Sequence, residues 1–308
     1  MKKIVAVVCG GFSEEQAASR ESGKFVAAAL RQLGYGVSVV EYDENLIANL
    51  KNIAPDIVFP LVQGKNHGDG AVQTLLELAR VPYVGSRPHA AAIINHKTVC
   101  KKIWRSEKIL TPDFFEYTRE NFFCDSFENF KKILCEKNLR LPVVVKPPTQ
   151  GNRFGMIFVE DEASFEKIGE SFRYDDVLLV EAYVEGRFFT QGIAEINGKM
   201  TAFPPVEIID ASSGKFKFFP GGSEVRAHDL SPEQIFELNE TTLAAAALTG
   251  ASGFARLDYH FCGEKFFLLE INAVPGLIPG YSSMGECAAA AGFGFVEFID
   301  LLLASAKK

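Results

Sequence analysis

The stretch KKIVAVVCGG at residues 2–11 constrains the fold most: a β-branched run stops on two glycines and passes into SEEQAASRESGKFVAAALRQLGY, whose Ala, Val and Leu spacing is helical. A strand, a tight turn and a helix in that order commit the chain to a layered α/β start. Ser13 with Gln16 three residues on reads as a capping box, which sets the Gly10-Gly11 turn directly at a helix N-terminus. YGVSVVEYD, DIVFPLVQG and PYVGS supply further strands around the helix AVQTLLELAR, so residues 1–92 predict a small doubly wound parallel-sheet domain. The turn is not a dinucleotide fingerprint, because the spaced glycines that would close it over a pyrophosphate are missing.

At 308 residues the chain exceeds what one hydrophobic core organises, and further subdomains are expected. Residues 93–180 read as an α+β module: the helical NHKTVCKKIWRSEKI, the strand PVVVKPP, a Gly-containing hairpin TQGNRFG, the strand MIFVE, a helix, and a last strand that ends at Glu181. Residues 181–308 carry the strands FTQGIAEI, KMTAFPPVEII, GFARLDYHFC and KFFLLEINA. They surround a Ser/Gly/Lys-rich loop at 210–222 and an Ala-rich helix near 233–249, and the amphipathic FVEFIDLLLASAKK closes the chain.

A formal net charge of −7, with basic runs as short and mixed as KKILCEK, leaves no electrostatic footprint for nucleic acid. No stretch approaches the roughly 18–20 consecutive apolar residues of a membrane span. The apolar part of MKKIVAVVCGG is too short for a secretory signal, and Cys9, Cys100, Cys124, Cys135, Cys262 and Cys287 are scattered without a Cys-x-x-Cys pair. The expectation is free thiols in a reducing cytoplasm.

Two groupings carry chemistry. Asp258, Glu270 and Asn272 lie on RLDYHF and LLEINA, two strand patterns joined by a short turn around Gly263. A hairpin of that length converges three oxygen-bearing side chains on one face, the hard ligand set that Mg²⁺ prefers beside substrate phosphates. The bland reading is a solvated sheet face, but Glu270 interrupts a strongly apolar strand, where a charge needs a partner or a metal. Lys146 ends PVVV just before a loop carrying Gly151 and Gly155, a placement that suits a triphosphate and equally a snorkelling lysine. Lys97 and Lys215, judged singly, read as surface lysines.

Together these segments resemble the ATP-grasp superfamily, and more closely the D-alanine–D-alanine ligases, over essentially the whole chain: GGFSEE, HGDGAVQTLLELARVPYVGS, HKTVCKK, PVVVKPPTQGNRFG, VEAYVEGR, GGSEVRAHDLS, ARLDYHF and LLEINAVPGL. The resemblance implies an ATP-grasp fold, α/β and α+β, behind the N-terminal doubly wound domain, with ATP and two Mg²⁺, or Mn²⁺ in their place, as cofactors. It implies that Lys97, Lys146 and Lys215 contact ATP phosphates, that Glu181 lies at the adenine, and that Asp258, Glu270 and Asn272 bind the metals. Glu15 would meet the ammonium of the first amino acid, and Arg256 with the N–H of Gly276 would form an oxyanion hole. The implied reaction joins two D-alanines through an acylphosphate, in the cytoplasm, for peptidoglycan precursors, and the implied assembly is a homodimer. Taken alone, Glu15 also reads as an acid complementing a helix N-terminus, and Arg256 as a structural ion-pair partner.

The chain departs from the family pattern one step outside that centre. Phe188 stands where the family has a ribose-binding Glu, Gln63-Gly64 where it has His-Gly, and Gly68 where it has an acid. Asn152 and Arg153 replace two loop serines, and Phe216 replaces a lid Tyr. Tyr281 falls on the substrate-carboxylate serine, with Ser282 one place on as the candidate to supply the hydroxyl if the loop shifts. These positions keep two alternatives open at this level: a ligase with another amino or hydroxy acid acceptor, and a non-catalytic nucleotide-binding relative.

Overall fold

In the computed structural model, which describes residues 3–210, 223–226 and 228–307, the first apolar run is β1 (Ile4–Cys9). It is flanked in parallel by β2 (Gly36–Glu41) and β3 (Ile57–Pro60), in the order β2-β1-β3. Val5, Ala6, Val7 and Val8 are all fully buried, which is why the run is continuous rather than alternating: a parallel sheet is covered on both faces. Helix α1 (Gln16–Gln32) packs on this sheet, and the C-terminal helix Phe295–Ala304 packs on α1 and adds Phe298, Ile299, Leu302 and Leu303 to the same core. PYVGS forms no strand; Tyr83 makes only isolated bridges, to Val58 and to Lys307.

Ser13 does not cap α1. The helix begins at Gln16 behind Glu15 with no side-chain cap, and the Ser13 hydroxyl donates instead to the Gln63 carbonyl at 2.9 Å. Gly10 and Gly11 turn with φ of 83° and 88°, and their N–H groups are taken by Ser19 Oγ and Glu41 Oε1, both at 2.9 Å. The donors that would cradle a pyrophosphate are thus used inside the protein.

Helices α2 (Leu46–Ile53), α3 (Ala71–Leu78) and α4 (Pro88–Asn95) lead to α5 (Lys97–Ser106). The next sheet is antiparallel: β4 (Phe114–Thr118), β5 (Val143–Lys146), β6 (Ile157–Val159) and β7 (Val177–Ala182), in the order β4-β7-β5-β6. It packs an aromatic core of Tyr117, Phe130, Phe165 and Phe172.

The last sheet holds β8 (Arg187–Ile196), β9 (Lys199–Ala202), β10 (Val206–Asp210), β11 (Ser223–Arg226), β12 (Phe254–Cys262) and β13 (Lys265–Asn272), ordered β11-β10-β8-β12-β13 with β9 on β8. KMTAFPPVEII is two strands, β9 and β10, because Pro204-Pro205 cannot continue a ladder. The Ala-rich helix spans Pro232–Thr249 and is capped by Ser231, whose Oγ accepts from Gln234 N–H. Among the described residues no single helix is long and apolar enough to cross a membrane.

The β12–β13 hairpin sets the position of the functional side chains. Its two loop residues, Gly263 and Glu264, have φ of 54° and 65°, the pair of positive values that a twist-matched two-residue turn needs. From Cys262↔Lys265 the register runs evenly to Tyr259↔Leu268, then shifts so that Asp258 faces Glu270 and Arg256 faces Asn272. The extra residue is Leu269. Had the even register continued past it, Glu270 would oppose Leu257, which points into the core, and the carboxylates would lie on opposite faces.

Candidate active site

A cleft of about 670 Å³ opens where the three sheets meet, lined by Glu15, Lys97, Lys146, Asn152, Arg153, Glu181, Arg256, Asp258, Glu270, Asn272, Gly276, Tyr281 and Ser282 among others. The predicted site residues that fall within the described part of the chain therefore share one cavity. Lys215 and Phe216 lie outside the described residues.

Asp258 is 4% exposed and accepts four hydrogen bonds from protein donors. Arg256 donates to both its oxygens, at 3.0 and 2.8 Å, Thr190 Oγ1 donates at 2.6 Å, and Asn272 Nδ2 at 3.2 Å. Burial alone would lower the pKa of Arg256, but Asp258 and Glu270 outweigh it and raise it. Glu270 has Lys97 Nζ at 3.4 Å. Its burial would raise its pKa, yet Lys97, Lys146 and Arg256 hold it down to about 2, so it is a carboxylate at any working pH. Asn272 uses its amide nitrogen on Asp258, so that bond leaves its oxygen available. Two carboxylates and an amide oxygen make a hard-oxygen donor set that fits Mg²⁺.

Lys97 is not a surface lysine. It opens α5, donates Nζ to the Gln150 carbonyl at 2.6 Å and its own N–H to Pro148 O, and so joins the helix to the loop after β5. Lys146, on the last residue of β5, donates to Glu181 Oε1 at 2.5 Å. Glu181 is buried, and burial would raise its pKa, but Lys101 and Lys146 lower it.

Lys101 is the residue that reading the sequence missed. It is fully buried, one helical turn beyond Lys97 on the same face of α5, with Nζ 2.7 Å from Glu181 Oε2 and a hydrogen bond to Thr111 Oγ1 at 2.5 Å. The contact to Oε2 is one of charge without hydrogen-bond alignment, so that oxygen keeps an unused acceptor direction. Burial brings the Lys101 ammonium down to about 8. The available signal was the i, i+4 spacing of Lys97 and Lys101 in KTVCK.

Glu15 sits at the end of the N-terminal loop, beside the start of α1. Burial raises its pKa against the pull of Lys97, and Asn152 Nδ2 donates to its Oε2 at 2.6 Å. The loop that carries Glu15 is held from behind by His67, whose Nε2 accepts from the N–H groups of Phe12 and Ser13 at 2.9 and 3.2 Å while Nδ1 lies 2.7 Å from Lys65 O. That pattern assigns a neutral ring with the proton on Nδ1. Gly68 is glycine because a Cβ there would stand 2.4 Å from the Val62 carbonyl, leaving no room for an acid. Gln63 donates Nε2 to Val274 O at 2.8 Å and ties this region to the Pro-Gly turn.

Gly276 lies against Ser282, whose Oγ accepts from Ile278 N–H at 3.0 Å. The Ser282 oxygen is thus engaged in its own turn, at the N-cap of the helix Ser283–Ala290, while Tyr281 is 81% exposed. Phe188 lines the cleft edge-on to His260, with ring centroids 5.7 Å apart.

Residues 103–304 match the family model described as D-ala D-ala ligase C-terminus. The chain is 36% identical over 312 residues to a D-alanine–D-alanine ligase from Moorella thermoacetica, covering 97% of each, and 33% identical to one from Aquifex aeolicus, covering 97% of this chain and 99% of the relative. The structure superposes on the D-alanine–D-alanine ligase of Bacillus anthracis complexed with ATP with a TM-score of 0.82 at 27% identity, covering 98% of this chain and 97% of that one. The Coxiella burnetii D-alanine–D-alanine ligase gives a TM-score of 0.82 at 26% identity, covering 99% and 93%.

Proposed function

The chain belongs to the D-alanine–D-alanine ligase family, an ATP-grasp family, and is an ATP-dependent ligase that joins two D-alanines for peptidoglycan precursors; from that premise we propose how its own residues divide the reaction. The observation that carries the reading is the hairpin pairing of Arg256-x-Asp258 with Glu270-x-Asn272 in one cleft with Lys97, Lys146 and Glu15.

Glu181 takes the adenine end: the unused acceptor direction on its buried Oε2 suits an exocyclic amine. Lys97 and Lys146, together with Lys215, neutralise the phosphates. Glu15 receives the ammonium of the first D-alanine, whose carboxylate oxygen attacks the γ-phosphorus in line. ADP leaves and an acylphosphate forms. The second D-alanine's amine attacks the acyl carbon, Arg256 and the Gly276 N–H hold the negative oxygen that develops, and inorganic phosphate departs as the peptide bond closes. Asp258, Glu270 and Asn272 would hold two Mg²⁺, which when bound stabilise charge on the transferring phosphoryl group. We place this enzyme in the cytoplasm, where ATP is supplied, as a homodimer.

The test is phosphate release from ATP with D-alanine, with the product identified by mass. Release that depends on D-alanine and yields D-alanyl-D-alanine is expected; release only with another amino or hydroxy acid would overturn the assignment of the acceptor.

A further inference from the structure

Arg153 lines the same cleft, and among the described residues its side chain has no hydrogen-bond or ion-pair partner. The other cleft cations are engaged: Arg256 by Asp258, Lys146 by Glu181, and Lys97 by Glu270.

The backbone that presents Arg153 is unusual. Asn152 and Arg153 have φ of 46° and 63°, two consecutive non-glycine residues in the left-handed region, a conformation that persists only where the surroundings enforce it. The turn is closed by backbone bonds from Phe154 N–H to Gly151 O and from Met156 N–H to Arg153 O, and Asn152 ties it to Glu15. The turn is therefore fixed at one end to the group proposed to hold the first substrate, and Arg153 is its next residue. Desolvation at the cleft lowers the Arg153 pKa, with Glu270 and Asp258 opposing, which places its charge within electrostatic reach of the reacting centre and of Tyr281.

The acceptor's amine must reach the acyl carbon whose oxygen faces Arg256 and Gly276, which leaves its carboxylate to the Tyr281 side of the same cleft. There the Ser282 hydroxyl, 8% exposed, accepts from Ile278 N–H and Tyr281 turns to solvent, and neither side chain supplies a positive charge to a carboxylate. Resting on the ligase reading, we propose that the Arg153 guanidinium binds the carboxylate of the acceptor amino acid and so sets the preference for an acceptor with a free acid group. A guanidinium suits this because its planar fork matches two carboxylate oxygens.

The experiment compares wild type with Arg153→Ala and Arg153→Lys, using D-alanine and D-alaninamide as acceptors. Arg153→Ala is expected to raise the acceptor KM about 10- to 100-fold, the range produced by losing a hydrogen bond to a charged group, while the ATP KM stays within about twofold. The preference for D-alanine over the uncharged amide should collapse, and Arg153→Lys should restore part of it. An unchanged acceptor KM overturns the proposal, as does a rise confined to the ATP KM, which would assign the guanidinium to the phosphates. Thermal melting checks that each variant is folded. Dipeptide formation by wild type reads the underlying activity and the variant ratio reads Arg153, so the two readings fail separately.

Discussion

Asn152 Nδ2 donates to Glu15 Oε2 across 2.6 Å, joining the loop after β5 to the loop before α1, which lie 137 residues apart in the chain. The bond lies at the exposed end of the cleft, so it is worth about 1 kcal/mol rather than the larger value of a buried charged pair. Asn152→Ala is expected to raise the KM of the first D-alanine about 3- to 10-fold with little change in melting temperature. Asn152→Asp should do worse, because a second carboxylate would push the already raised Glu15 pKa further up and favour its neutral form. Initial-rate kinetics that resolve the two D-alanine sites check both, and equal KM values in all three proteins would refute the clamp.

The sequence made β1, α1 and the hairpin strands legible because each has a clean period and a glycine boundary. It singled out Asp258, Glu270 and Asn272 as a group because charge inside an apolar strand has few explanations. It could not show that the register shifts at Leu269, since register depends on the partner strand, yet that shift decides whether Glu270 faces Asp258 or Leu257. Ser13 was misread because its hydroxyl had a tertiary acceptor, Gln63 O, that no local pattern contains. The spacing of Lys101 from Lys97 was legible but its burial was not, because a buried lysine and a surface lysine look alike until Glu181 is brought across from β7.

Lys101 and Glu181 form an ion pair shielded from solvent, and removing one partner of such a pair leaves a buried charge under-compensated. Glu181 keeps Lys146, so the loss is moderated. Lys101→Met, which preserves volume, is expected to cost about 3 kcal/mol in urea unfolding. The double variant Lys101→Met/Glu181→Gln should be less unstable than the sum of its parts, because the orphaned charge is gone. Strict additivity would show that the pair is not coupled.

His260, buried beside Phe188 and Tyr183, is held down to about 4 by burial, with Glu181 pulling upward and Lys146 downward. In the unfolded chain it titrates near 6.5. Between those values the unfolded state binds a proton that the folded state refuses, so stability rises with pH across the window and is lost as pH falls from about 6.5 to about 4. The full effect is roughly 3 kcal/mol. His260→Phe should flatten the difference in urea midpoint between pH 7 and pH 4.5, and an identical difference in variant and wild type would rule the residue out.

His67 has no exposed surface and accepts two backbone N–H groups of the Glu15 loop. Truncation leaves both donors without a partner, at about 1–3 kcal/mol for each buried group. His67→Ala is therefore expected to lower the melting temperature by several degrees and to raise the KM for the first D-alanine, since the loop that aims Glu15 loosens. Hydrogen exchange at Phe12 and Ser13 reads the same event directly, and protection unchanged from wild type would contradict it.

Glu270 carries a full negative charge against Lys97, with Lys146 and Arg256 adding to the pull that sets its pKa near 2. A carboxylate already ionised loses no proton when a cation arrives, so Mg²⁺ dependence should show no pH step attributable to Glu270 above about pH 4. Chelation is expected to abolish phosphate release and added Mg²⁺ to restore it. Glu270→Gln keeps the shape and removes the charge, so the Mg²⁺ concentration for half-maximal rate should rise at least about 10-fold, with the maximal rate falling about 10²-fold or more. Lys97, freed of its counter-charge, would then hold ATP phosphates more tightly in the absence of metal. A Glu270→Gln enzyme with the wild-type Mg²⁺ requirement would remove Glu270 from the metal set and leave it as the ion-pair partner of Lys97.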